Sequence, residues 1–327
     1  MRGPVHSRHA ILLTLILTAV PACDNVMWGG ADYEIVPPPP AASMTPVVPD
    51  DRVFAEFGLP RGQVIFHIVP SEAGSRLVPI GEISSDSVRT IRRPSGVAPE
   101  AYEERFREAV IPIGSQFDVF RRGVRVGTFV AQRPGPITHC GVPTVLGNTT
   151  VVAAASDISQ FIAFRQGLSP TVRGEFSPPQ ITGSIRTYAS IIAERLILQA
   201  GLPRPRSWPG AQRDMQAIEI APGAHPEMAA TYLVGDSLAV GPADPQGYSV
   251  FYLADFETRR GYSPVYQEVR DYRRGGKAAP RFVDYLNWDG EGGEEILIEV
   301  FGENQVWYEA ISERNNQWVK IWEGERC

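Results

Sequence analysis

The feature that most restricts how this chain can fold is a pair of similar segments 56 positions apart. Residues 250–254 have the sequence VFYLA, and residues 306–310 have the sequence VWYEA. The similarity continues without gaps through a charged turn into a second strand-like stretch that is rich in aromatic residues. A repeat of this kind predicts stacked β units, each of which buries one face against its neighbour. Two unrelated hairpins that share the same turn chemistry are the alternative.

The rest of the sequence predicts a mainly β fold of the α+β class. Strand-like apolar runs are concentrated in two β-rich domains of antiparallel hairpins or meanders, residues 56–168 and 231–327. Residues 169–230 are rich in proline and predict a linker that contains one amphipathic helix near residues 184–200, with Ser184 as its N-cap. The apolar stripe of this helix consists of Ile185, Tyr188, Ile191, Ile192 and Leu196.

Three shorter elements are predicted within the first of these domains. Residues 64–69 form an apolar strand that Pro70 ends, because proline cannot donate a hydrogen bond to a sheet. Pro99 begins a short helix that continues to Ala109. Residues 121–123 are the turn of a hairpin.

The N-terminus has the pattern of a secretory signal. Arg2 and Arg8 precede an apolar run, residues 11–20, of about ten residues, whereas a helix that spans a bilayer needs about 20. The sequence VPAC at residues 20–23 resembles the lipobox of bacterial lipoproteins. This resemblance implies that Cys23 carries a lipid and becomes the first residue of the mature protein. An ordinary secretory signal that ends near a cysteine is the alternative.

The lipobox resemblance also implies where the protein resides. Residues 1–22 are the predicted signal peptide, and the lipid on Cys23 would anchor the protein to a bacterial membrane, in the cell envelope, on its periplasmic or its surface face. Residues 23–55 are the predicted flexible tether, since the four prolines at 37–40 favour an extended chain.

The remaining cysteines predict a disulfide. Once Cys23 carries the lipid, Cys140 and Cys327 are left in an oxidising compartment, where pairing is expected. The chain-entropy model gives such a long loop about 5 kcal/mol of stabilisation as an upper estimate. Two free thiols are the alternative.

The charge of the chain limits its partners. The formal net charge is −6 at pH 7, whereas general binding to nucleic acid requires a basic surface. We therefore expect no nucleic-acid partner. The expected partners are the membrane, through the N-terminal lipid, and an unidentified protein or glycan.

One acidic, glycine-rich segment has the pattern of an ion site. It comprises residues 287–295 and leads directly into a predicted strand. Oxygen-bearing side chains at its first, third, fifth and ninth positions can converge on a hard cation such as Ca²⁺. The predicted calcium ligands are Asn287, Asp289, Glu291 and Glu295, with Gly292 at the turn.

The spacing of this segment differs from that of an EF-hand, because position twelve is Ile298 and a strand follows. Residues 281–322 instead resemble the calcium-loop β repeats of the FG-GAP and VCBS families, in which a short acidic loop leads into a strand. The resemblance implies that calcium stabilises the C-terminal hairpins. An acidic β-turn that its charges keep soluble is the alternative, and Glu294 is expected to point outward in both.

Two motifs are more consistent with structure than with catalysis. Residues 235–238 spell the GDSL block of a lipase and esterase family, but no histidine follows the serine to act as its base. A turn between two strands is therefore predicted there. His67 lies within a predicted strand and is expected to be packed or at a sheet edge.

Two functions from different classes remain open. The first, which we favour, is a non-enzymatic, lipid-anchored β module that binds a ligand or partner. The second is a hydrolase of glycans or esters in the cell envelope, with catalytic carboxylates that the sequence does not identify. Candidate contact residues of the binding module are aromatic, and about half of them are expected to be buried. They are Trp288, Trp307, Tyr308, Trp318 and Trp322.

Overall fold

The computed structural model describes residues 51–327 except 73, 85–86, 139, 173, 221–224, 291–292 and 327. The predictions for the signal peptide, for Cys23, Glu291 and Cys327, and for most of the tether concern residues outside this part of the chain. Residues 51–55, which the sequence assigns to the tether, belong instead to helix α1 (Asp51–Phe57). Partly buried hydrophobic side chains of α1 pack against the core, so the predicted tether extends too far.

Antiparallel strands dominate the described residues, which confirms the predicted mainly β, α+β class. The other helices are α2 (Pro99–Ala109), α3 (Gly183–Gln199), α4 (Trp208–Ala211) and α5 (Tyr272–Gly275). The first strands are β1 (Val64–Ser71), β2 (Gly74–Ser84), β3 (Ser87–Thr90), β4 (Gln116–Arg121), β5 (Val124–Ile137), β6 (Pro143–Val151) and β7 (Phe161–Arg165). The later strands are β8 (Gln212–Ile218), β9 (Glu227–Val234), β10 (Tyr248–Glu257), β11 (Gly261–Asp271), β12 (Ala279–Leu286), β13 (Glu295–Phe301), β14 (Val306–Arg314) and β15 (Gln317–Glu323).

Strands β1 to β7 form one sheet that closes on itself, which we call the closed sheet. Its order is β1-β7-β4-β5-β6-β2-β3, and β1 also pairs with β2. Its interior contains the rings of Phe66, Phe117 and Phe129, whose neighbouring centroids are 5.1 and 6.0 Å apart. Helix α2 adds Tyr102 and Phe106 to the same core. Closure hides one face of every strand of the ring, so each strand alternates between this core and the outside.

Two local predictions for the closed sheet are confirmed. Helix α2 begins at Pro99 and ends at Ala109. Strands β4 and β5 form the predicted hairpin, in which Arg122 (φ 50°) and Gly123 (φ 73°) both adopt left-handed backbone angles. This is the geometry that a two-residue hairpin turn requires.

The prediction that Pro70 ends the first strand is wrong. Strand β1 continues through Pro70, which is paired with Ser75 of β2, and ends at Ser71. On its other side, β1 pairs with β7 only at residues 66–68. At Pro70 the strand therefore has no neighbour on that side that needs a backbone donor.

The second half of the chain forms two four-stranded antiparallel sheets, each with its strands in sequence order. Strands β8 to β11 form the outer meander, and strands β12 to β15 form the central meander. One face of the central meander packs against the outside of the closed sheet, where Leu297 and Trp322 contact a core that includes Ile65. Its other face packs against the outer meander, where Ile298 and Trp307 share a core with Phe251 and its neighbours. The central meander is therefore a layer between two other sheets.

Helix α3 covers the remaining face of the outer meander. All described residues belong to one compact unit. The two β-rich segments predicted at 56–168 and 231–327 therefore share buried cores, and residues 169–182 are a connection within this unit.

Helix α3 confirms the helix predicted near residues 184–200, with two differences. The N-cap is Thr182, whose hydroxyl oxygen accepts a hydrogen bond from the backbone N–H of Ile185 at 3.3 Å, rather than Ser184. Ile191, assigned to the apolar stripe, is 46% exposed, while the small residues Ala189 and Ala193 are buried against the sheet. Small side chains let the helix approach the sheet closely, which a stripe of large residues does not anticipate.

The sequence repeat corresponds to the last two strands of each meander. Segment 250–254 lies in β10 and segment 306–310 lies in β14, each the third strand of its sheet. Phe251 and Trp307 both point into the core between the meanders. Tyr252 points outward to the α3 core, and Tyr308 packs against the core shared with the closed sheet.

The equivalence ends at the turn that follows. Tyr262 faces the α3 core, whereas Trp318, its counterpart in the repeat, packs against the core between the meanders. The β10–β11 turn lies between paired residues 257 and 261, and the β14–β15 turn lies between residues 314 and 317. Side chains alternate between the two faces of a strand. A turn that is shorter by one residue therefore makes equivalent side chains of the next strand point to the opposite face of the sheet.

Candidate functional site

A pocket of about 320 Å³ opens where the closed sheet meets the central meander. This volume lies at the lower end of the range for small-molecule sites, about 300–1,000 Å³. The lining comes from strands β2, β13, β14 and β15, from the connection near residues 136–144, and from residue 240 in the β9–β10 loop. Prominent apolar lining residues are Val78, Ile80, Val142, Val306, Trp307 and Trp322.

Two apolar side chains stand at the pocket and are also open to solvent. Val240 is 47% exposed and Ile137 is 45% exposed, and both line the pocket. Solvent-exposed hydrophobic side chains beside an apolar cavity are typical of a ligand entrance.

A chain of polar groups is buried in the apolar wall. Nδ1 of His67 lies 3.0 Å from the hydroxyl of Tyr308, and that hydroxyl lies 3.4 Å from Oε1 of Glu299. The other carboxylate oxygen of Glu299 is paired with Arg281. Because an ionised carboxylate only accepts and a phenol has one proton, the Tyr308 hydroxyl donates to Glu299 and accepts from His67.

Burial determines the protonation states of His67 and Tyr308. His67 has no exposed surface, and its burial, more than any neighbouring charge, lowers its pKa to about 4. Burial, with the Glu299 carboxylate next in importance, raises the pKa of Tyr308 well above its ordinary value. Both groups are therefore neutral at pH 7. His67 is packed, as the sequence predicts, and lies behind Tyr308 rather than on the pocket surface.

Arg76 is the other charged residue of the inner pocket. It lies on β2 between Val69 of β1 and Leu146 of β6. Its Nε is buried and has no hydrogen-bond partner. Within the described part of the chain, no carboxylate is paired with its guanidinium.

The pocket also brings the C-terminal segment close to Cys140. Cys140 and Glu325 line the same pocket, and Glu325 is paired with Arg92 at 2.6 Å. Cys140 is not a free thiol. Cys327 lies two positions beyond Glu325 and outside the described residues, so its bridge to Cys140 stays a prediction, one that this proximity supports.

The predicted calcium loop is the connection between β12 and β13. Asp289 and Glu295 lie on either side of one guanidinium, with Nη2 of Arg314 at 3.0 Å from Asp289 and 3.8 Å from Glu295. Glu295 also accepts hydrogen bonds from the backbone N–H of Trp288 at 3.0 Å and from the hydroxyl of Ser312 at 3.3 Å. Asp289 and Glu295 therefore already have a cation and hydrogen-bond donors.

Among the other predicted ligands, the structure describes only Asn287. Oδ1 of Asn287 accepts a hydrogen bond from the backbone N–H of Gly290 at 2.7 Å, which closes the turn. Glu291 is outside the described residues. In the ranges that the structure describes, no three His, Cys, Asp or Glu side chains form a group that could hold a metal. These contacts favour the plain acidic turn, and the calcium site stays a prediction.

The expectation that Glu294 points outward is wrong. Its Oε2 is buried without a hydrogen-bond partner, and burial raises its pKa to about 7. Burial, together with the nearby Asp289 carboxylate, raises the pKa of Glu295 to about 7 as well. Glu294 and Glu295 therefore both point inward.

The GDSL block forms a structural ion pair. The carboxylate of Asp236 lies 2.6 Å from Nζ of Lys277 and accepts a hydrogen bond from the hydroxyl of Tyr272 at 2.6 Å. Ser237 is exposed beside it. This arrangement fastens the loop after β9 to the end of the outer meander, which agrees with the turn predicted there.

The aromatic contact candidates lie in the interior or at the pocket. Trp288, Trp307 and Trp322 are buried, and Tyr308 and Trp318 are partly buried. Trp307, Tyr308 and Trp322 line the pocket. The sequence thus identified part of the pocket wall, but it expected only about half of these residues to be buried, and none of the five is exposed.

Comparison with known proteins returns no matching family model, no similar curated protein and no similar solved structure. Among the described residues, no helix has the length and apolar character needed to cross a bilayer. The functional assignment therefore depends on the geometry of the pocket.

Proposed function

We propose that this protein is a lipid-anchored module of the bacterial cell envelope that binds a ligand in the pocket between the closed sheet and the central meander. The observation that carries the proposal is the cavity of about 320 Å³, which has apolar and aromatic walls and a few buried polar groups. Cavities of this composition are typical of small-molecule sites.

The contacts of the carboxylates favour binding over hydrolysis. Hydrolysis of a glycoside needs two carboxyl groups that act as acid and as base or nucleophile. Two carboxylates of the described residues line the pocket, Glu299 and Glu325, and they are paired with Arg281 and Arg92. Each carboxylate that lines the pocket is therefore already engaged by a guanidinium of the protein.

The proposal is tested with N-phenyl-1-naphthylamine, a neutral apolar dye whose fluorescence rises when it leaves water. Val240 lines the pocket and is half exposed, so Val240→Trp narrows the entrance without disturbing a buried core. Val152 is 50% exposed and does not line the pocket, which makes Val152→Trp the matched control.

We expect the dye to bind the wild type and Val152→Trp equally, and to bind Val240→Trp about tenfold more weakly, which corresponds to about 1.4 kcal/mol. Thermal melting of all three proteins shows whether each is folded. Equal binding to the two variants, or no binding to the folded wild type, would contradict the proposal.

A further inference from the structure

The charge balance of the pocket distinguishes one side chain from the rest. Glu299 is paired with Arg281, and Glu325 is paired with Arg92 at 2.6 Å. The Tyr308 hydroxyl is engaged by His67 and Glu299. Each of these polar groups already has a partner within the protein.

Arg76 differs from them. Its Nε is buried and has no hydrogen-bond partner, and no carboxylate of the described residues lies within ion-pair distance of its guanidinium. A buried donor without an acceptor destabilises the fold, and more so when the group is charged. An arginine in this condition is a receptor for an anion, because its planar fork matches a carboxylate, sulfonate or phosphate oxygen pair.

The surroundings of Arg76 restrict the anion further. The same pocket is lined by Val69, the cross-strand neighbour of Arg76, by Val78 and Val306, and by Trp307 and Trp322. A small inorganic anion would leave this apolar surface in contact with water. A molecule with an apolar body and one anionic group would bury both the surface and the charge.

The geometry points to an amphiphilic monoanion as the ligand, with its anionic group on Arg76 and its apolar body between the closed sheet and the central meander. This inference rests on the proposed function, because it assigns the ligand class of the same pocket. The partly exposed Val240 and Ile137 mark where such a molecule enters.

Two dyes that differ in one group test the inference. 1-Anilinonaphthalene-8-sulfonate has the ring system of N-phenyl-1-naphthylamine and adds a single sulfonate. The dissociation constants of both dyes are measured on the wild type, on Arg76→Met and on Arg195→Met. Arg195 is an exposed arginine of α3 that does not line the pocket, and it controls for the loss of one positive charge.

We expect the wild type to bind the sulfonate about tenfold more tightly than the neutral dye. Arg76→Met should remove this preference by weakening the sulfonate relative to the neutral dye, while Arg195→Met should leave the preference as it is in the wild type. Val240→Trp should weaken both dyes, which locates them in the pocket.

Other outcomes are decisive in different ways. If the neutral dye binds in the pocket but the sulfonate has no advantage, or if its advantage survives in Arg76→Met, the ligand class is overturned and the proposed function stands. If neither dye binds the folded wild type, both fall. Should Arg76→Met not fold, Arg76→Lys replaces it. In Arg76→Lys the preference for the sulfonate over the neutral dye must persist and must decrease as ionic strength rises. If Arg76→Lys shows no such preference, the inference is overturned.

Discussion

At the scale of single residues, the pocket depends on groups whose chemistry is set by burial. The sequence places His67 in a strand but gives no sign of its partner, because Tyr308 lies 241 positions away. Arg76 is one of many arginines, and only the three-dimensional structure shows that no described carboxylate pairs with it. The residue types of the pocket can therefore be read from the sequence, whereas their hydrogen-bond and ion-pair partners cannot.

The burial of His67 predicts a specific pH dependence. Its pKa is about 4 in the folded protein and 6.5 when exposed, so between these values the unfolded chain binds a proton that the folded protein does not. Folding stability should therefore fall as pH drops from 6.5 to 4, by about 3 kcal/mol from this residue alone.

Urea unfolding at pH 7 and pH 4 tests this expectation on the wild type, His67→Gln and His225→Gln. The histidine at 225 is exposed, so His225→Gln should lose as much unfolding free energy between pH 7 and pH 4 as the wild type. His67→Gln should lose about 3 kcal/mol less than the wild type. Glu294 and Glu295 contribute with the opposite sign, because their raised pKa values favour the folded state as pH falls, and comparison between variants cancels them. An equal loss in all three proteins would contradict the burial of His67.

At the scale of elements, apolar runs bounded by turn or helix-starting residues were the most reliable signal. Helix α2, the β4–β5 hairpin and the repeat in β10 and β14 are all where the sequence predicts them. The facing of β15 was not predictable, since it depends on the length of the turn before it. The loop between β12 and β13 was predicted as an acidic segment. The ion pair between its Asp289 and Arg314 was not predicted.

This loop has a clear test with calcium. Because Arg314 already bridges Asp289 and Glu295, we expect saturating calcium to leave the melting temperature of the wild type unchanged. Asp289→Ala should lower the melting temperature by the same amount with and without calcium, since it removes one side of an ion pair that is largely buried. A calcium-dependent rise in the wild type that is lost in Asp289→Ala would instead establish the ion site that the sequence predicts.

At the scale of the whole molecule, the three sheets are consecutive in sequence but share their cores in space. The pocket is a product of this packing, because its walls come from β2, from β14 and from the β9–β10 loop. The sequence identifies strands one at a time and has no signal for which outer faces meet. For that reason it predicted two separate domains and missed the pocket between their sheets.

The membrane anchor is a separate prediction at this scale. The lipobox resemblance of residues 20–23 predicts that Cys23→Ala releases the protein into the soluble fraction of the cell. Cys140→Ala, which leaves the lipobox intact, should stay with the membrane fraction. Unchanged fractionation of Cys23→Ala would show that the protein is held by something other than this lipid.

The central claim is that the interface between the closed sheet and the central meander holds a ligand. Its most direct test is a crystal structure of the protein grown with 1-anilinonaphthalene-8-sulfonate. We expect density for the dye between Val240 and Tyr308, with the sulfonate within hydrogen-bond distance of Arg76. Density for the dye only at other surfaces, with this pocket filled by protein side chains, would contradict it.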